Sequence, residues 1–189
     1  MSNGDRNEGD DARSDEALMM EVRAGHTESF SPLICKYQQP LVNFFRRLGV
    51  YTDAEDLIQE TFLKVYRYRR RYRVTAKFST FLYRVARNVW VDHCRKAARR
   101  KDLLERYEDD VPKPSDRQPT AARLDVQEAV AALPEKLRMV VVLSIYQGMK
   151  YREIADAIEI PVGTVKSRMH LAMEQLRAFL RVSARKSER

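Results

Sequence analysis

Apolar residues recur at helical spacing along most of this chain, and the stripes they form divide it into a series of amphipathic helices. Leu18, Met19 and Val22 make a short first stripe that stops at Gly25, a helix C-cap residue. Phe30, Leu33, Ile34 and Tyr37 make the next, which Pro40 is expected to end or kink before Leu41, Phe44, Phe45 and Leu48 carry on to Gly49. Residues 52–66 open with Thr52 and Glu55 at capping-box spacing, with Leu57, Ile58, Phe62 and Val65 facing inward. Asp56, Gln59, Glu60 and Lys64 then share an outward polar strip. From Ser79 a helix resumes: Phe81, Leu82, Val85, Ala86 and Val89 look inward, Arg84, Arg87, Asn88 and Arg95 fall opposite, and Trp90 reads as core. Beyond a break at 102–125 the pattern returns with Leu124, Val126, Ala129, Val130 and Leu133. Pro134 interrupts it, and an apolar helix from Leu137 to Tyr146 ends at Gly148.

The last two stripes lie close together. Ile154, Ala155 and Ile158 form one, and Val162, Val165, Met169, Ala172 and Leu176 the other, separated only by Glu159, Ile160 and Pro161. Proline cannot continue the first helix but suits the start of the second. Two amphipathic helices with so tight a turn predict a helix-turn-helix over residues 151–176, the unit whose second helix enters the major groove. With the apolar side turned in, Thr164, Lys166, Ser167, Arg168, His170 and Leu171 face out.

Composition sharpens this picture. A net charge of +8 in 189 residues favours an anionic partner, nucleic acid first. No apolar run approaches the ~18 residues of a bilayer span, and the polar N-terminus lacks a signal-peptide core, so a cytoplasmic location without membrane insertion is expected. Cys35 and Cys94 stand in no ligand cluster and are expected as two buried free thiols.

The charge is unevenly spread. Residues 64–101 hold fourteen Lys or Arg against one acid, Asp92, more positive charge than the whole chain nets. Within them, RYRRRYR interleaves arginine with Tyr68 and Tyr72, offering phosphate contacts together with rings on which unpaired bases stack. An Arg/Tyr loop leading into a basic helix suits melted DNA better than duplex readout alone. Residues 102–125 carry three of the seven prolines and seven acids against four basic residues, the composition of an extended linker. The expected fold class is therefore all-α, two small helical domains joined by an extended acidic linker. Its divisions are a disordered tail at 1–14, a first domain at 15–101, the linker at 102–124, the helix-turn-helix domain at 125–181 and a basic tail at 182–189.

Leu133-Pro134, Arg138, Gly148, Tyr151, Glu153-Ile154-Ala155 and the run Pro161-Val-Gly-Thr-Val-Lys-Ser-Arg168 carry a resemblance, as do residues 53–66 and Leu82-Tyr83-Arg84-Val85-Ala86-Arg87-Asn88 followed by Asp92 and Arg95. Over roughly residues 15–180 the chain resembles the bacterial RNA polymerase sigma factors of the extracytoplasmic-function group. The resemblance implies that the second domain reads the minus-thirty-five promoter element, with Lys166, Ser167 and His170 at base edges and Thr164 and Arg168 near phosphates. It implies that the first domain recognises and melts the minus-ten element, through Arg69, Arg70, Arg71, Tyr72, Arg73 and Lys77 of the loop and Arg84, Arg87, Asn88 and Arg95 of the helix. Asp56, Gln59 and Glu60 would dock on the clamp helices of the polymerase's largest subunit. Further implied partners are the polymerase flap and an anti-sigma factor, with the acidic linker running toward the active site and RNA exit channel. Leu171 and Met173 depart from the pattern, being apolar where many relatives carry arginine, and Pro32 interrupts a helix that relatives keep continuous.

Two other classes compete. A stand-alone helix-turn-helix regulator leaves the Arg/Tyr loop and the acidic strip without work. A nucleic-acid enzyme, or any cofactor-dependent chemistry, finds little support in a chain with no phosphate-cradling Gly-rich loop and with His26, His93 and His170 far apart. No cofactor, metal or catalytic residue is expected.

Overall fold

The computed structural model describes residues 13–105 and 121–187. Residues 1–12 of the expected tail at 1–14, the middle of the expected linker, 106–120, and the last two residues of the expected basic tail, 188–189, lie outside the described residues. Within them the chain is helical and no strand occurs.

Helix α1 (Asp15–Ala24) starts because the Ser14 hydroxyl accepts from the Ala17 N–H at 3.2 Å, and it stops where Gly25 takes φ 113°, a left-handed turn that glycine adopts without strain. A 3-10 turn over Thr27–Ser29 leads into α2 (Phe30–Arg47). Both prolines of this region are tolerated. Pro32 falls in the first turn of α2, where its missing N–H has no partner to lose, so it marks a helix start and not the expected interruption. Pro40 sits inside α2 without ending it.

Helix α3 (Ala54–Tyr68) begins one residue later than the capping pattern predicts. Asp53, not Thr52, takes the N-cap position, and no side chain caps the helix; the Asp53 carboxylate instead lies 3.8 Å from His93 Nε2. Helix α4 (Phe78–Glu105) follows, and its start brings Phe78 into the core. Leu33, Leu41, Phe44, Phe45, Val65, Phe78, Leu82 and Val89 are fully enclosed among α1–α4, an aromatic-rich core that secures the position of the basic surface outside it.

In the second half, α5 (Ala121–Ala132) and α6 (Glu135–Val141) flank Pro134, and α6 continues as a π-helical turn over Val142–Tyr146. Helices α7 (Tyr151–Ile158) and α8 (Val162–Ser187) complete the chain. The linker is shorter in helical terms than 102–124, since α4 reaches Glu105 and α5 starts at Ala121. Likewise α8 runs through Ser187, over most of the expected basic tail. Val140, Val141, Leu143, Ile154, Val165 and Ala172 form the core here, with Val126 exposed on α5.

The two halves touch. Helix α4 packs along α7, and α2 meets α5. Arg138 donates to the carbonyls of Ala131 and Leu133 at the end of α5 and reaches the Leu48 carbonyl at 3.4 Å, bridging two helix C-termini that attract a cation. The Arg47 guanidinium stacks on the Tyr146 ring at 3.9 Å.

Candidate nucleic-acid interface

The turn between α7 and α8 is tight because Glu159 closes α7 in the left-handed region at φ 56°, the one described residue other than glycine to do so. Pro161 then opens α8: its carbonyl accepts from the N–H groups of Thr164 and Val165. Val165, Met169, Ala172 and Leu176 are buried, which fixes the rotation of the helix. Lys166, Ser167 and His170 are exposed, and Thr164 and Arg168 are half-buried beside them. The Ser167 hydroxyl donates back to the Gly163 carbonyl at 2.9 Å, and His170 lies 3.5 Å from Glu174. Leu171 is exposed, whereas Met173 packs against the core and so is turned away from that face.

The expected minus-ten residues gather around a different surface. Arg69–Arg71 form a 3-10 turn at the end of α3, and the chain then bends at Thr75 and Ala76, where the Thr75 N–H donates to the Arg73 carbonyl at 2.9 Å, before entering α4. Arg70, Arg71, Arg73, Lys77, Asn88 and Arg95 are exposed. Arg69 is folded back, donating to the Tyr66 carbonyl at 3.0 Å and stacking on its ring at 4.0 Å. Arg84 and Arg87 are half-buried on α4, Arg87 donating to the Asn88 side-chain oxygen at 2.9 Å.

Tyr72 corrects the sequence reading. It is 2% exposed and packs on Phe78 and Phe81, so its ring is not a platform for a base. Flanking arginines suggested a solvent position, but the apolar start of α4 draws the ring inward, where burial raises the phenol's pKa. Tyr68 is the ring left at the surface, 43% exposed and leaning on Phe81 at 5.4 Å. Together Tyr68, Arg71, Arg73, Thr80, Phe81 and Arg84 line a cleft of about 800 Å³. Phe81 was read only as interior and Thr80 was not singled out, a threonine at a helix start carrying no signal of its own. The Thr80 hydroxyl is buried with no partner among the described residues.

On α3, Asp56 and Gln59 are exposed and Glu60 half-buried. Glu60 pairs with Lys64 at 3.0 Å, and Lys64 also reaches Asp92 of α4 at 3.4 Å. Burial works against the Lys64 charge, but these two carboxylates outweigh it and raise its pKa. Leu63, 47% exposed, completes the strip at the spacing of Asp56, Gln59 and Glu60, and that spacing alone would have found it.

The thiols also differ from expectation. Both cysteines are free, but Cys35 is exposed and Cys94 only half-buried. Burial, with Glu135 nearby, raises the Cys94 thiol above its usual range and keeps it protonated.

Comparison with known proteins gives two family matches, Sigma-70 region 2 over residues 33–100 and Sigma-70 region 4 over residues 123–176. The chain is 31% identical over 177 residues to the ECF RNA polymerase sigma-E factor of Haemophilus influenzae, covering 86% of this chain and 93% of that one. It is 31% identical over 175 residues to the ECF RNA polymerase sigma factor SigW of Bacillus subtilis, with 85% and 94% covered. Among solved structures, CnrH in complex with the cytosolic domain of CnrY shares the fold at a TM-score of 0.69 and 24% identity, covering 90% of this chain and 99% of that one. RpoE from Bartonella quintana, solved with the anti-sigma factor NepR, matches at a TM-score of 0.69 and 23% identity over 82% of this chain and 98% of that one.

Proposed function

Because the chain belongs to the extracytoplasmic-function group of RNA polymerase sigma factors, which bind core RNA polymerase and direct promoter-specific initiation, we propose how its own residues divide that task. The division is into a domain at 15–101 that engages the minus-ten element and one at 125–181 that engages the minus-thirty-five element. Lys166, Ser167 and His170 on the open face of α8 meet base edges in the major groove, while Thr164 and Arg168 meet phosphates. Arg70, Arg71, Arg73, Lys77, Arg84 and Arg87 hold the backbone of the melted minus-ten strand, with Asn88 and Arg95 further along α4 and Arg69 buttressing the turn. An unstacked base enters the cleft against the exposed ring of Tyr68, which leans on Phe81.

Asp56, Gln59 and Glu60 dock on the polymerase clamp helices, with Leu63 as the apolar centre of that contact. The second domain meets the flap. Polymerase supplies the chemistry, so this chain acts as a non-catalytic specificity factor in the cytoplasm, where its partners are; no described helix is long and apolar enough to cross a membrane. An anti-sigma protein is a further partner, supported by a structural relative solved with such a protein.

The observation that carries this reading is the pairing, in one chain, of an outward basic recognition helix with an Arg-lined cleft holding an exposed tyrosine. A mobility-shift assay on promoter DNA tests it. The chain should form a specific complex only once core polymerase is present; a sequence-specific shift by the chain alone would favour a stand-alone regulator.

A further inference from the structure

No residue of α1 is among those assigned to DNA or to polymerase, yet this helix packs along the 3-10 turn and loop that carry the minus-ten arginines. Glu16, Met19 and Arg23 stand at i, i+3 and i+7 and so share one face of α1. Met19 is fully buried, which turns that face inward. At one end of it the Glu16 carboxylate accepts from the Phe78 N–H at 2.6 Å, and at the other the Arg23 guanidinium donates to the Tyr72 carbonyl at 3.0 Å. These bonds join residues 62 and 49 positions apart, and they take hold of the loop at its two ends.

Between those ends, residues 73–77 are all exposed. Among the described residues, one backbone hydrogen bond closes within that segment, from the Thr75 N–H to the Arg73 carbonyl. So little internal bonding leaves the path of the loop to be set from its ends. The need is sharpest at the start of α4. The first N–H groups of a helix have no partner inside it, and Lys77, which precedes Phe78, carries side-chain donors and no acceptor. The Glu16 carboxylate supplies the acceptor, and its negative charge sits where the helix dipole favours it. Arg23 lies about 10 Å further along α1 at ~1.5 Å rise per residue, so a rigid helix fixes the separation of the two anchors.

We propose that α1 is the splint of the minus-ten loop, with Glu16 and Arg23 as positioning residues for strand capture. They touch no DNA; they set where Arg73 and Lys77 stand, together with the wall of the Tyr68 cleft that Thr75 and Ala76 line. The inference rests on the assignment of that loop and cleft to minus-ten DNA. A loop released from either anchor samples other paths, and its apparent affinity falls with the fraction of time spent in the binding one.

Hydrogen exchange and strand capture test this together. Glu16→Ala and Arg23→Ala should each speed amide exchange across residues 73–80 of the free chain about tenfold, the low end for losing one hydrogen bond to a charged group. Exchange in α2 and α8 should stay unchanged. Each variant in complex with polymerase should bind a fluorescent single-stranded oligonucleotide, carrying a minus-ten sequence from the chain's own mapped start sites, about tenfold more weakly. Affinity for core polymerase itself should not move. Glu16→Gln, whose amide oxygen still accepts from the Phe78 N–H, should restore both readouts. Unchanged loop exchange overturns the proposal, as does a rise in exchange throughout α2 and α8, which would make these bonds part of global stability. Faster loop exchange with unchanged capture also overturns it where Tyr68→Ala does weaken capture. If Tyr68→Ala leaves capture unchanged, the assignment of the cleft is what fails, and loop exchange still decides whether α1 holds the loop.

Discussion

Ser167 illustrates how a side chain on the recognition face is both available and engaged. Its hydroxyl donates within α8, so contacting a base requires only rotation about one bond, whereas Lys166 is exposed and needs no rearrangement. We expect Lys166→Ala and Ser167→Ala each to lose about 1–3 kcal/mol of discrimination at one upstream base pair, read from binding to a panel of single-substituted promoters. Equal losses on every sequence would move these residues to the phosphate class. The two tyrosines of the Arg/Tyr loop separate in the same way. Tyr68→Ala should weaken capture of a single-stranded minus-ten oligonucleotide by the polymerase complex by about 1–3 kcal/mol, the usual worth of one stacked base. Tyr72→Phe should leave it unchanged, since that ring is in the core and its hydroxyl has no partner among the described residues. Fluorescence titration with the oligonucleotide distinguishes the two. Local sequence could not tell these tyrosines apart: each stands among arginines and each rests on Phe81, and what separates them is that Tyr72 also packs on Phe78 and is buried.

At the scale of elements, amphipathic period was enough to find the helices and the helix-turn-helix, because each buries one continuous stripe against its neighbours. Helix starts were less legible. Thr52 and Glu55 have capping spacing, yet Asp53 heads α3 and its carboxylate faces His93, a residue forty positions away that no local pattern signals. The α7 terminus carries a strain of the opposite kind: Glu159 occupies a left-handed position that glycine or asparagine fills more readily. Glu159→Gly should therefore raise thermal stability by up to about 1 kcal/mol, measured by calorimetry, provided the turn is rigid; a fall in stability would show that the carboxylate side chain holds the turn. On α3, the double charge reversal Asp56→Lys and Glu60→Lys should weaken association with core polymerase while the helix content stays native. Unchanged affinity in that variant would remove the strip from the docking surface. Leu63 was passed over there because a single exposed leucine is unremarkable in sequence, and only its alignment with the acids makes it part of a surface.

The whole molecule holds what sequence periodicity does not reveal, the meeting of its two domains. Burial raises the Glu153 carboxyl, but Lys77 and the Lys150 N–H outweigh this and bring it below the usual carboxylate range; hydrogen bonding to Glu153 in turn raises Lys77. Both charges of the Lys77–Glu153 ion pair are thus present at neutral pH. Gln147, Tyr83 and Glu153 carry no individual signature of an interdomain contact, since each is ordinary in its local sequence. Acidic composition marked 102–125 as a connection but said nothing of how the joined parts sit. This molecule is expected to confer start-site choice on a polymerase that lacks it, and transcription of a fragmented genomic library by purified core enzyme measures that choice. With the chain added, mapped starts should converge on sites sharing two upstream sequence elements, spaced as two separate DNA contacts require. The same scatter of starts with and without it would show that the chain confers no such choice.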